Sequence, residues 1–113
     1  MAGVVHVPWY ATGLRHDQLA DALAGIAPIA LRYGARSYAV YRSNDDRYKF
    51  LQTAEFEHKR DWERYWNGPE FIDFRVLTSS WYQVPVLYVW HDRIASGTLE
   101  LEPVERAASE VAG

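Results

Sequence analysis

The order in which two hydrophobic periods replace one another along the chain restricts its fold more than any other feature. Residues 3 to 9 alternate with period two, Val5, Val7 and Trp9 against Val4 and His6, which predicts a short strand ending near Pro8. From about Arg15 the period becomes helical, with Leu19, Leu23, Ile26 and Ala30 on one stripe and Asp17 in the opening turn, where the helix dipole favours an acid. Pro28 lacks a backbone donor, so it predicts an end or kink at about Ala27, followed by a further turn that stops at Gly34. RSYAVYRS and RYKFLQTAEF then read as two strands of a hairpin, the second with Tyr48, Phe50, Ala54 and Phe56 on one face. Asn44, Asp45 and Asp46 between them are turn formers. A second helix starts between His58 and Arg60 and runs to about Asn67, where Asn-Gly-Pro interrupts it, and a shorter helical piece follows Pro69. Residues 82 to 91, YQVPVLYVWH, are expected to form the fourth strand, beginning in earnest after Pro85.

Strand, helix, strand, strand, helix, strand is the split βαβ order. It specifies an α+β, ferredoxin-like βαββαβ domain whose antiparallel sheet carries the helices on one face. The other face is left uncovered, yet the fourth strand has Val86, Tyr88 and Trp90 on one side and Leu87 and Val89 on the other. Such an apolar face predicts burial against a second copy, since closed two-fold dimers are the commonest homo-oligomers. The expected division is a domain over 1–95 and a tail over 96–113, with a short strand at TLELE and a frayed helix after it.

Composition removes several function classes. With 49% hydrophobic and 24% charged residues the chain reads as one globular domain, and no apolar run approaches the roughly 20 residues of a membrane span. The N-terminus has no basic segment followed by an apolar stretch and a cleavage site, so the expected location is the cytoplasm. Without cysteine there is no disulfide, thiolate metal site or cysteine nucleophile. A net charge of -3, with Lys and Arg scattered among acids, argues against nucleic acid as a partner. The glycines are isolated, GxSxG is absent, and the four histidines show neither HxH nor HxxxH spacing, so nucleotide cofactors, serine hydrolysis and a metal are not signalled.

What remains is aromatic chemistry. In DWERYWNGPEF, residues 61 to 71, a helical wheel gathers His58, Trp62, Tyr65 and Trp66 into one sector and sends Arg60, Glu63, Arg64 and Asn67 to the other side. The rings must point between helix and sheet, either as core or as the walls of a cleft. Two indole N–H groups, a phenol and an imidazole each need a partner when buried, which suits a partly open cleft for a flat aromatic or polyketide-like ligand. The candidate lining is Trp62, Tyr65, Trp66, Phe71, Tyr82, Tyr88 and Arg42, with Arg42 or Tyr82 placed to hold a developing oxyanion. The first and fourth strands are antiparallel neighbours, so His6 is expected near the end carrying His91. These are the candidate general bases, because an imidazole titrates near pH 6.5.

This layout, together with GARSYAVYRSNDDRYKFLQTAEF at 34–56 and DWERYWNGPEFIDFR at 61–75, resembles the dimeric α/β-barrel superfamily, in particular the antibiotic-biosynthesis-monooxygenase-like domains. The resemblance covers about residues 3–91. It implies a homodimer whose sheets form a barrel, a pocket between sheet and helices in each protomer, and cofactor-free oxygenation of aromatic or quinone-forming polyketides. Similar proteins also include haem-degrading enzymes, which carry a histidine iron ligand in the second helical region after a tryptophan. This chain has no histidine between Asn67 and Trp90. The expectation is therefore a small-molecule-binding domain with cofactor-independent monooxygenation as its activity and no cofactor. The alternative is a non-catalytic dimeric binding or assembly domain.

Overall fold

In the computed structural model, which describes residues 2–99, β1 (Gly3–Tyr10) lies between two neighbours and organises the sheet. Along its whole length it pairs antiparallel with β3 (Lys49–Phe56), from Gly3 opposite Phe56 to Tyr10 opposite Lys49. β2 (Ser37–Arg42) adds to the outer edge of β3, and β4 (Val89–Asp92) to the other side of β1, giving the order β2-β3-β1-β4. The antiparallel ferredoxin-like sheet with helices on one face is the architecture that the element order predicts.

Strand alternation divides the sheet cleanly. Val5, Val7 and Trp9 of β1 and Phe50, Gln52, Ala54 and Phe56 of β3 are all buried on the helix side. Against them pack Leu19, Leu23 and Ile26 of α1 (His16–Ile26), Trp62 and Tyr65 of α2 (Lys59–Trp66), and Phe71 and Phe74 of α3 (Pro69–Leu77). Full burial of one such aliphatic side chain contributes about 1.5–3 kcal/mol. The helical stripe at 19, 23 and 26 is thus the contact that holds α1 on the sheet.

Local chemistry explains the breaks. α1 gives way at Ala27 to a 3-10 turn over Ala27–Tyr33 with Pro28 near its start, and the turn ends at Gly34, whose φ of 102° is a left-handed value that glycine adopts freely. α2 and α3 are separated at Gly68, and Pro69 occupies the first turn of α3, where a missing N–H costs nothing. Gly3 is a close-approach position: a Cβ there would lie 2.3 Å from the Trp90 indole, which packs across the start of β1.

Two strand boundaries differ from expectation. β1 does not stop at Pro8 but continues to Tyr10. The direction of its hydrogen bonds shows why. The Ala11 N–H points to β3, donating to the Tyr48 carbonyl, whereas the Thr12 N–H and the Tyr10 carbonyl point to the opposite side, toward Trp81 and Gln83. Even-numbered residues therefore direct their backbone groups toward the β4 side, and there the ladder covers only Gly3–His6. The donor that proline lacks falls where, among the described residues, no strand is present to receive it. The fourth strand is correspondingly short: Tyr82 bridges to Ala11, residues 83–88 leave the ladder, and only Val89–Asp92 pair. In the tail, Thr98 and Leu99 form no strand, and the rest of the expected TLELE strand and helix lies outside the described residues.

The face away from the helices carries Val4, His6, Pro8 and Tyr10 of β1, Leu51, Thr53 and Glu55 of β3, Ala39 and Tyr41 of β2, and Val89 and His91 of β4. Tyr41 is 57% and Val89 51% exposed, an amount of apolar surface unusual for a sheet face in water.

Candidate functional site

Trp66, in the last turn of α2, is the hub of the aromatic cluster. Its ring centroid lies 4.7 Å from that of Phe71, 5.3 Å from Tyr88, 5.4 Å from Trp62 and 6.2 Å from Trp9. The Arg75 guanidinium sits 4.3 Å above the Trp66 ring and 5.1 Å from Phe71. Sequence spacing produces this set. Trp62 and Trp66 are one helical turn apart on α2, and Phe71 and Arg75 one turn apart on α3, so each pair shares a helix face. Segment 83–88, having left the sheet, brings Tyr88 over both indoles, 5.1 Å from Trp62. Trp66 and Tyr88 are partly exposed, whereas Trp62, Tyr65 and Phe71 are fully buried.

Polar atoms in this layer fall into two groups. On one side, the Trp9 Nε1–H donates to the buried Gln52 Oε1 at 3.0 Å, the Gln52 amide donates to the Tyr65 hydroxyl at 3.3 Å, and Tyr65 donates to the Ile26 carbonyl at 2.6 Å. That carbonyl lies where α1 passes into the 3-10 turn, so Tyr65 ties α2 to the junction of the two. Burial pushes the Tyr65 hydroxyl well above its ordinary pKa, so it remains a proton donor throughout the neutral range. On the other side, Trp62 Nε1 and Arg75 Nη1 are buried and have no hydrogen-bond partner among the described residues. Burial also pushes the Arg75 pKa down, a shift opposed by the nearby Tyr82.

Of the residues singled out in the sequence, Trp62, Tyr65, Trp66, Phe71, Tyr82 and Tyr88 come together. Tyr82 packs edge-on against Trp9 at 4.9 Å, and its hydroxyl reaches the Arg75 carbonyl at 3.5 Å. Arg42 is elsewhere. On edge strand β2 it lies over Phe50 and is held by the Asp17 carboxylate at 3.0 Å, by His16 Nδ1 and by the Arg47 carbonyl. His6 and His91 do meet, with ring centroids 4.4 Å apart, but on the open face of the sheet, across β1 from the aromatic cluster. Burial, and then the neighbouring His91, lower the His6 pKa. His58, expected among the inward rings, precedes α2 in extended conformation and is exposed, because the helical wheel does not apply to a residue outside the helix.

Arg75, Gln52, Trp9 and Phe74 were not anticipated as parts of this layer. Gln52 had a visible signal, since it interrupts an otherwise apolar face of β3, and a polar residue at a core position implies a partner. Arg75 had a weaker one, its i+4 spacing from Phe71. Two concavities lie outside the cluster. One, of about 260 Å³, is lined by Pro8, Tyr41, Lys49 and Leu51 beside the open face, and one of about 360 Å³ runs between α1 and α3 past Ile26, Phe74, Leu77 and Trp81.

This arrangement of sheet and helices recurs in solved structures. A candidate antibiotic biosynthesis monooxygenase from Nitrosomonas europaea superposes with a TM-score of 0.75 at 15% identity, over 82% of this chain and 90% of that one. SnoaB, a cofactor-independent oxygenase from Streptomyces nogalater, superposes with a TM-score of 0.72 at 11% identity, over 84% and 95%. The chain has the antibiotic-biosynthesis-monooxygenase fold. Rv0793 from Mycobacterium tuberculosis shares it with a TM-score of 0.74 at 14% identity, over 87% of this chain and all of that one. No protein-family model matches the sequence, and no curated protein matches it. The monooxygenase-type fold is therefore visible here through structure and not through sequence similarity. Among the described residues no helix is long and apolar enough to cross a membrane.

Proposed function

We propose that the Trp66 cluster binds a small, flat aromatic molecule and that the domain, as a homodimer, oxygenates it without a cofactor. The observation that carries this reading is Trp62: its side chain is fully buried and its Nε1–H has no acceptor among the described residues. Leaving a buried donor unpaired costs about 1–3 kcal/mol, a cost that a ligand oxygen at this position would remove. Trp66 and Tyr88, partly exposed, provide the ring faces on which such a ligand stacks. The fold shared with SnoaB supports the choice of reaction.

For an anthrone-type phenol the chemistry balances without any further reductant. The deprotonated substrate carbon supplies the electrons, one oxygen atom of O2 enters the substrate as a new carbonyl, and the other leaves as water with the two hydrogens lost from that carbon. The protein contributes a dry, ring-lined site and donors for the oxygen that carries negative charge. Because His6 and His91 lie across the sheet from the rings, a substrate that is anionic at neutral pH suits this site better than one needing a base from that pair. The open face, with Tyr41, Leu51, Val89 and the two histidines, is the surface through which the protomers would associate.

The second reading is a dimeric binding or assembly domain without catalysis, and the complete closure of Trp62, Tyr65 and Phe71 favours it. Oxygen consumption with an anthrone-type phenol separates the two. The proposal requires one O2 consumed per quinone formed and a dimer by native mass spectrometry. Absence of turnover in a correctly folded dimer leaves the assembly reading, and a monomer overturns the role given to the open face.

A further inference from the structure

Among the described residues Arg75 is a cation without a counter-ion. In the last turn of α3 its guanidinium lies over the Trp66 ring at 4.3 Å and near Phe71 at 5.1 Å, and Nη1 is buried with no acceptor among the described residues. The nearby acids are committed or point elsewhere. Glu70 accepts from the Tyr33 hydroxyl at 2.5 Å, Asp61 pairs with Arg64 at 3.1 Å, and Asp73 lines the groove between α1 and α3. Stacking on an indole satisfies the face of a guanidinium but not its in-plane N–H groups, which seek oxygen acceptors.

The second unpaired donor, Trp62 Nε1, belongs to a ring that also packs on Trp66, 5.4 Å away. One indole is thus flanked by two side chains whose buried donors are both vacant. Building on the proposal that this cluster is a ligand site, we infer that its ligand is an aromatic carboxylate, with Arg75 as its anion partner and the Trp62 indole N–H as a second donor. A carboxylate matches the planar fork of a guanidinium. With Arg75 the one cation against Trp66 and Phe71 among the described residues, a monoanion is neutralised, whereas a phosphate carrying nearly two charges is not. The rings on either side require the rest of the molecule to be flat and apolar.

The test compares 2-naphthoate with its neutral counterpart 2-naphthamide, measured by quenching of tryptophan fluorescence at pH 7.5 in low salt. Wild-type protein should bind the acid roughly tenfold or more tightly than the amide, since a charge-assisted pair outweighs a neutral hydrogen bond. Arg75→Met should abolish that preference by weakening the acid far more than the amide, and Arg75→Lys should keep part of it. Equal binding of acid and amide by the wild type overturns the inference while leaving the aromatic site intact, and this comparison holds even if a variant fails to fold. Failure of both compounds to bind overturns the inference together with the ligand site on which it rests.

Discussion

The two ends of the layer between sheet and helices are built from the same materials and finished differently. At the Gln52 end, indole, amide, phenol and helix carbonyl form an unbroken chain of donors and acceptors. At the Trp66 end, an indole and a guanidinium are buried with donors to spare. The Gln52 end is sealed and the Trp66 end is partly open, yet the unpaired donor atoms are themselves buried, so exposure alone does not account for the difference. A closed network fixes a unique packing because each member has one satisfactory arrangement, whereas open donors cost stability unless something else completes them. The first pattern suits a scaffold, and the second is the one that the proposed ligand would complete.

Mutations can break that comparison or sharpen it. The largest effect is expected at Gln52→Leu, which leaves the Trp9 Nε1–H without an acceptor and removes a donor to Tyr65 in a sealed interior. Chemical denaturation should show a loss of about 2–3 kcal/mol. Tyr65→Phe should follow at about 1–2 kcal/mol, because a buried hydrogen bond to the Ile26 carbonyl is lost and the Gln52 amide loses its acceptor. Trp66→Phe should cost less than about 1 kcal/mol of stability yet weaken aromatic-ligand binding roughly tenfold, since a half-exposed wall contributes more to a ligand than to the core. If Trp66→Phe instead destabilises as much as Gln52→Leu and leaves binding untouched, the two ends are both scaffold.

The smallest effect concerns the open face and pH. His6 has its pKa lowered by burial and by His91, so the native state resists the proton that an unfolded chain takes up near pH 6.5. Stability should therefore be constant above pH 6.5 and decline on acidification through the interval between that value and the lowered one. Glu55, paired with Arg93 at 2.8 Å and with Arg36 at 3.9 Å, also lies on this face. The denaturation midpoint at pH 5.5 should fall below that at pH 7.5 in wild type, and His6→Gln should narrow the difference. An unchanged gap would place the pH sensitivity elsewhere.

The order of elements was legible because each carries its own period, and Pro28, Gly34 and Pro69 punctuate it at positions where backbone chemistry allows little choice. That Trp62, Tyr65 and Trp66 gather in one cluster was legible for the same reason, since a shared helix face is a matter of spacing. What spacing cannot show is which sheet face a strand residue takes relative to the helices. The two histidines therefore met as expected, but on the far side of β1 from the rings. Arg75 was obscured differently: an arginine in the last turn of a helix is ordinarily solvated, and only the packing of α3 against α2 turns this one inward.

Pro8 carries a consequence for the life of the protein outside its native fold. A strand that stops being paired midway ordinarily offers a bare row of donors to any passing chain, and this is how edge strands recruit partners into aggregates. In β1 the stretch left unpaired among the described residues has a proline in its middle, so an incoming strand would meet an interruption where it needs a donor. A slip of β4 by two residues along β1, which would keep its apolar faces correctly turned, would bring it closer to the same obstacle. Pro8 thus guards the sheet against both foreign strands and its own misregistered one, and lets residues 83–88 remain free of the ladder to cover the rings.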